Sequence, residues 1–182
     1  MSNSTAKSAT PFGFEKGLKV EEVTCDIEEI NFGIYVTSQP PKPHSSFSSY
    51  VLRIAPQSGL YWVKGISGDI ETDSAGTMLK SRADNMIERL AKVYGPPERI
   101  LFFNPGTIWG ESEDFMMGMA CNEIHYGASW SKEAHELPSG LGNIYFAINA
   151  KSSNTGYMII EYEFDNHEQG EREVEEVEDG AL

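Results

Sequence analysis

The clearest pattern of apolar and polar positions lies in residues 72–94, where apolar side chains recur every three or four residues. The apolar stripe consists of Leu79, Ala83, Met86, Ile87, Leu90 and Tyr94. Such spacing is typical of a helix that buries one face. Thr72, Asp73 or Ser74 can cap its start, and Gly95, followed by two prolines, ends it. The pattern therefore predicts a helix over these residues.

Two shorter segments also show helical spacing. Residues 18–30 carry glutamates on one side of a helical projection and apolar residues on the other, namely Val20, Val23, Ile27 and Ile30. This arrangement predicts a short amphipathic helix. Residues 112–120 begin with acids, which favour the positive end of a helix dipole, and continue with Phe115, Met116 and Met119 on one face. They predict a second short helix.

Alternation of apolar and polar residues predicts strands over most of the remaining chain. The predicted strands are residues 31–37, 50–55, 60–66, 99–103, 123–130, 143–150 and 157–164. The clearest hairpin joins the second and third of these, because Pro56, Ser58 and Gly59 supply turn chemistry between two apolar runs. The last strand alternates apolar residues with acids, which is typical of an antiparallel sheet with one solvated face.

Together these elements predict an α+β fold, with an antiparallel sheet of about six to seven strands packed against two to three helices. The chain has 182 residues, enough for one domain with a sizeable core. We expect a flexible N-terminal arm at residues 1–11, a single α+β domain at residues 12–165 and a disordered acidic tail at residues 166–182. The tail contains too few apolar residues to pack firmly.

The net charge of the chain restricts the kinds of molecule that it can bind. The formal net charge is −14, of which residues 166–182, with seven acids and one base, carry −6. The remaining body carries −8 and would repel the phosphates of nucleic acids and anionic lipids. We therefore expect no direct binding to nucleic acid or membrane, and we expect a basic protein partner. Solubility is the alternative role of the acidic charge.

Cysteine content and hydropathy point to an intracellular protein. Cys25 and Cys121 are far apart and belong to no metal-binding or redox motif, so we expect two reduced thiols. No apolar run is long enough to span a membrane, and the first ten residues lack the apolar stretch of a signal peptide. The expected location is the cytoplasm.

The sequence carries no motif for catalysis, metal binding or phosphate binding. The histidines are His44, His125, His135 and His167, and no pair has the spacing of a metal site. The chain contains neither a GxSxG nucleophile motif nor a phosphate-binding glycine loop. We therefore expect no catalytic, cofactor-binding or metal-binding residues, although a site assembled by the fold from distant residues stays open.

Seven residues are candidates for partner binding. They are Trp109, Glu111, Glu113, Asp114, Glu173, Glu175 and Glu176. Trp109 lies in a loop rich in glycine and proline, where a tryptophan can remain exposed and anchor an interface. The neighbouring acids suit a basic surface, or they serve as the first turn of a helix. The tail acids would dock onto a basic partner, with Val174 and Val177 spaced for one helix face.

These observations rank three functional hypotheses. The first is a non-enzymatic protein-binding protein, of the inhibitor or immunity type, that engages a basic macromolecule through an acidic surface. The second is a small hydrolase or metal-dependent enzyme with a site assembled by the fold. The third is a structural or accessory subunit whose exposed sheet edge pairs with another chain.

Overall fold

The computed structural model describes residues 8–182, which form an α+β fold with a mostly antiparallel sheet. Its strands are β1 (Glu28–Asn31), β2 (Ile34–Thr37), β3 (Ser49–Ala55), β4 (Gly59–Ile66), β5 (Ile70–Glu71), β6 (Glu98–Phe103), β7 (Ile124–Ser131), β8 (Leu141–Ala150) and β9 (Thr155–Phe164). Its α-helices are α1 (Thr77–Tyr94), α2 (Phe115–Ala120) and α3 (His167–Asp179). The order in the sheet is β1-β2-β3-β4-β9-β8-β7-β6, and the short β5 pairs with β9.

The α+β class predicted from sequence is confirmed, and the strand count is corrected from six to seven to nine. Strands β5 and β1 were not predicted from the sequence, and each omission has a physical reason. Strand β5 is two residues long, which is too short to display alternation. Strand β1 lies in the segment that was predicted to be helical.

The helix predicted at residues 18–30 is wrong. Val20–Glu22 forms only a 3₁₀ turn, and Glu28–Asn31 pairs with β2 as a strand. Valine, isoleucine and threonine have low intrinsic helix preference, and pairing with β2 supplies backbone hydrogen bonds that a short isolated helix would have to form alone. Pairing with the adjacent strand therefore overrides the helical spacing.

Helix α1 confirms the strongest helical pattern. Leu79, Ala83, Met86, Ile87 and Leu90 are buried along one face. The start is capped by side chains of the preceding loop, since Asp73 Oδ1 accepts a hydrogen bond from the Thr77 N–H at 2.8 Å and Thr72 Oγ1 accepts one from the Met78 N–H at 3.0 Å. At the other end the Gly95 N–H donates to the Ala91 carbonyl.

The chain comprises two compact units. Unit 1 consists of the residues up to Gly65, together with Ser131–Ile144 and Glu161–Leu182. Unit 2 consists of Ile66–Trp130 and Tyr145–Ile160. The predicted domain boundaries at residues 12 and 165 stay predictions. Most of the predicted N-terminal arm, residues 1–7, lies outside the described residues.

The core of unit 2 joins helices α1 and α2 to the strands of that unit. A Cβ at Gly156 of β9 would overlap the Leu79 side chain of α1, so the helix lies directly on the strand. The Trp130 indole N–H donates to the Gly95 carbonyl at 2.7 Å and ties the end of α1 to β7. Trp130 itself is fully buried.

In unit 1, helix α3 lies within residues 166–182, the segment for which composition predicts a disordered tail. Gly170 lies against the ring of Tyr61, and Val174 packs on a small buried cluster of Ala55, Tyr61 and Trp62. Arg53 forms an ion pair with Glu171 at 2.7 Å. Gly170 and Val174 thus pack α3 onto the sheet of unit 1. The low apolar content of the segment does not by itself predict this packing.

Candidate protein-binding surface

Strand β6 forms one edge of the sheet and belongs to unit 2. It pairs with β7 along its whole length, from Glu98 opposite Ser129 to Phe103 opposite Ile124. Within residues 8–182, no strand pairs with its other side. Alternate backbone N–H and C=O groups of an edge strand point away from the sheet, where another strand can accept and donate hydrogen bonds.

The side chains of β6 are unusually apolar for exposed positions. Leu101 is 60% exposed, Phe102 51% and Phe103 41%. Because side chains alternate along a strand, Leu101 and Phe103 lie on one face and Phe102 on the other. Ile108, in the loop that follows, is 78% exposed. Unit 2 therefore presents an apolar edge with both faces open to solvent.

A polar cluster holds β6 against α1 and β7. Arg99 Nη2 donates to Asp84 Oδ1 of α1 at 2.8 Å and to the hydroxyl of Tyr126 at 3.2 Å. The Tyr126 hydroxyl donates to the same Asp84 oxygen at 2.7 Å. Burial, followed by the hydrogen bond to Asp84, raises the pKa of Tyr126. The only cation of β6 is thus bound within unit 2.

A glutamate backbone lies near each end of β6. Glu98 is exposed at its first position. Beyond its last position, the Glu123 carbonyl accepts a hydrogen bond from the Asn104 N–H at 2.8 Å. Among the described residues, no group donates to the buried Oε2 atom of Glu123. Because that oxygen is buried, a partner cannot reach it, whereas Glu98 is accessible.

The predicted residues Trp109, Glu111, Glu113 and Asp114 also belong to unit 2. Trp109 is half-buried, and a Cβ at Gly118 would lie 2.8 Å from its Cβ, so this loop packs closely on α2. Glu111 and Glu113 are exposed, whereas Asp114 is partly buried at the 3₁₀ turn that leads into α2. The most exposed apolar side chain of the loop is therefore Ile108.

The other three predicted residues lie on α3 in unit 1. The carboxylate of Glu173 accepts hydrogen bonds from the N–H groups of Gln57, at 3.0 Å, and Ser58, at 2.8 Å. This side chain therefore holds the β3–β4 turn. Glu175 and Glu176 are exposed. The seven predicted residues thus divide between the two units.

The hydrogen bonds of Glu173 predict a pH effect on stability. Burial acts to raise the pKa of Glu173, but donation from Ser58, Gln57 and Gln169 outweighs it and holds the pKa below the ordinary value of 4.5. A lowered folded-state pKa stabilises the fold above the ordinary value, and this contribution disappears as the pH falls through the folded-state pKa. In urea unfolding across pH 3–6, we expect Glu173→Gln to lose stability less steeply on acidification than the wild type; equal slopes would contradict the contact.

Unit 1 also contains an open polar groove of about 490 Å³ above Trp62. Its cations are paired with carboxylates: Arg53 with Glu171, and Lys64 with Glu161 at 2.9 Å. His167 is the histidine that lines it. Within residues 8–182, no three His, Cys, Asp or Glu side chains are grouped so that they could hold a metal ion.

No protein-family model, curated protein or solved structure matches the chain. None of the helices within residues 8–182 combines the length and apolar content needed to cross a membrane. The cytoplasmic location stays a prediction.

Sequence reasoning identified β6 as a strand but missed its exposure. An apolar run has the same sequence pattern in a strand at the centre of a sheet and in a strand at its edge. The available signal was its context, because Pro96 and Pro97 precede the run and Pro105 follows soon after. Proline is confined to the edges and ends of sheets, so proline on both sides of a short apolar run favours an edge strand.

Proposed function

We propose that this chain is a non-enzymatic protein-binding protein of the inhibitor or immunity type, which engages a basic macromolecular partner. The observation that carries the proposal is the apolar edge strand β6, with Leu101, Phe102 and Phe103 between 41% and 60% exposed. Natural proteins commonly protect such edges with lysine, proline or a bulge. From Ile100 to Phe103, β6 has no charged residue and no proline.

Charge supports a basic protein as the partner. Unit 2 has ten acids and six bases, so its net charge is −4, while unit 1 has 18 acids and eight bases and carries −10. Both fields attract cationic surfaces and repel nucleic-acid phosphates. Long-range attraction of this kind raises association rates, and the desolvated apolar side chains supply most of the binding free energy.

The hydrolase or metal-dependent alternative has less support. The polar groove of unit 1 above Trp62 has its cations neutralised by neighbouring carboxylates, which is the arrangement of a structural ion-pair network. The accessory-subunit alternative uses the same edge strand, with self-pairing in place of a basic partner.

A matched pair of variants tests the proposal. Leu101→Glu places a charge on the β6 edge, and Val93→Glu places the same charge on α1, where Val93 is 68% exposed. We expect Leu101→Glu to weaken the partner at least about tenfold, because buried apolar anchors dominate interfaces. Val93→Glu should bind as the wild type does. Both should unfold within about 0.5 kcal/mol of the wild type, as exposed substitutions usually do.

The measurement uses the full-length chain with a photo-crosslinking side chain at position 101 or 93. It is irradiated in extract from the native cells, and the crosslinked proteins are identified by mass spectrometry. A basic protein that is captured at position 101, lost in Leu101→Glu and retained in Val93→Glu supports the proposal. Equal capture at both positions, or no capture at position 101, refutes it. Light scattering of the purified chain distinguishes self-pairing.

A further inference from the structure

The backbone of β6 restricts the conformation of whatever covers it, an inference that rests on the proposed protein-binding function. Its outer row of N–H and C=O groups has the spacing of a strand ladder. Only an extended segment can match that spacing and satisfy the row, as in complexes where a peptide adds a strand to a sheet. A helix or a globular loop would leave these groups unpaired.

The side chains of β6 restrict the composition of that segment. Neighbouring side chains of adjacent strands on the same face lie about 5 Å apart and contact each other. Leu101 and Phe103 are exposed on one face and Phe102 on the other. A strand with alternating apolar and polar residues would cover only one of the two faces. The covering segment must therefore be apolar on both faces along Ile100–Phe103.

The charge at the first position of β6 restricts one flank of that segment. Glu98 is exposed at this position. Arg99 cannot neutralise it, because its guanidinium binds Asp84. The Glu98 end of the edge is therefore matched by a cation on the partner.

We propose that β6 binds, as an added strand, an extended segment of another protein in which about four consecutive apolar residues, matching Ile100–Phe103, adjoin Lys or Arg at the end that meets Glu98. A second copy of this chain fits poorly. Its own β6 begins with Glu98, its only β6 cation is bound internally, and the net charge of −14 opposes self-association.

The test uses peptide pools and the full chain. One pool carries four core positions drawn from Val, Ile, Leu and Phe between pairs of lysines, and a matched pool carries glutamates in place of the lysines. We expect the lysine pool to bind at least about tenfold more tightly, since attraction of lysine to Glu98 and to the negative charge of unit 2 acts together with the apolar contact. Hydrogen exchange should show new protection of the β6 amides and none on α3.

Backbone pairing is tested with the best single peptide from that pool. N-methylation of one core amide removes a donor while keeping every side chain, and it should weaken binding at least about tenfold. Equal binding of the two pools, binding without protection of β6, or an unchanged affinity after every N-methylation would each overturn the inference. Self-association that protects β6 without peptide would instead identify a second copy as the occupant.

Different experimental outcomes would refute the protein-binding function and the strand-addition mode. A partner that is captured at position 101 and lost in Leu101→Glu, combined with peptide pools that do not bind, would retain the protein-binding function and reject the strand-addition mode. Protection of β6 by the lysine pool without any native partner at position 101 would do the reverse.

Discussion

Gly59→Ala should lower the free energy of unfolding by about 2–5 kcal/mol, the largest effect that we expect from adding a single methyl group in unit 1. Gly59 has φ +71°, a conformation that costs other residues roughly 1–2 kcal/mol. The added Cβ would also overlap the carbonyl of Gly17 and lie 2.9 Å from its Cα. Because both neighbours are backbone atoms, no side-chain rotation relieves the overlap.

The close approach at Gly59 is set by hydrogen bonds on either side of it. The Gly17 N–H donates to the Leu60 carbonyl, and the Leu60 N–H donates to the Leu18 carbonyl, both at 2.8 Å. Separation of the two segments to admit a methyl group would break both bonds. Each contributes about 0.5–1.5 kcal/mol, so the penalty cannot be avoided by a small shift.

Urea unfolding monitored by circular dichroism measures this effect, and Gly106→Ala is the matched control. Gly106 has φ +84° but no heavy atom within 4 Å of an added Cβ. It should therefore show the conformational cost alone, roughly 1–2 kcal/mol. Equal losses in the two variants would mean that the backbone contact with Gly17 contributes nothing.

The second large effect concerns helix α3. We expect Gly170→Ala to release α3 from the sheet of unit 1, because the added Cβ would overlap the ring of Tyr61. The contact cannot relax easily, since Tyr61 is only 2% exposed. In a free helix the same substitution stabilises by about 1 kcal/mol, so a net loss identifies the contact rather than helix propensity. Overpacking of this kind costs about 1–3 kcal/mol.

Hydrogen exchange reports the release directly. The N–H groups of Gln57 and Ser58 donate to the Glu173 carboxylate, so they should lose protection together with the α3 amides. The buried Tyr61 has its pKa raised to about 12 by burial and by the nearby Glu171 carboxylate. Release should lower that pKa towards its ordinary value, which ultraviolet titration detects.

Glu176→Ala provides the control for α3. Glu176 is exposed on the same helix, and its removal leaves the contact with Tyr61 intact. The free energy of unfolding of Glu176→Ala should stay within about 0.5 kcal/mol of the wild-type value. If Gly170→Ala stabilises the protein as helix propensity predicts, then the docking of α3 on Tyr61 is refuted.

Local patterns predicted the elements that depend on local physics. Helix α1 has an uninterrupted apolar stripe, side-chain caps at its start and a glycine at its end, all of which act within a few residues. The β3–β4 hairpin has turn residues between two apolar runs. The hairpin appears where the pattern places it, and α1 begins at Thr77 instead of residue 72, because residues 72–76 form the loop that caps it.

The features that single segments did not predict depend on pairing with another segment. Strand β1 has helical spacing in its own sequence, but it pairs with β2 across the turn formed by Phe32 and Gly33. The order in α3 depends on Tyr61, more than 100 residues away, and on the absence of a side chain at Gly170. The composition of such a segment gives its net charge, but it does not show on which surface of the protein the segment packs.

The sequence by itself determined the α+β class, the positions of α1 and of most strands, and the acidic charge, because periodicity, turn chemistry and composition are local or additive properties. Only the tertiary structure decided that β6 ends the sheet, that Arg99 is bound to Asp84 and that α3 is docked. Strand order and burial are pairings between distant segments. The exposure of Leu101, Phe102 and Phe103, on which the proposed function rests, follows from those pairings.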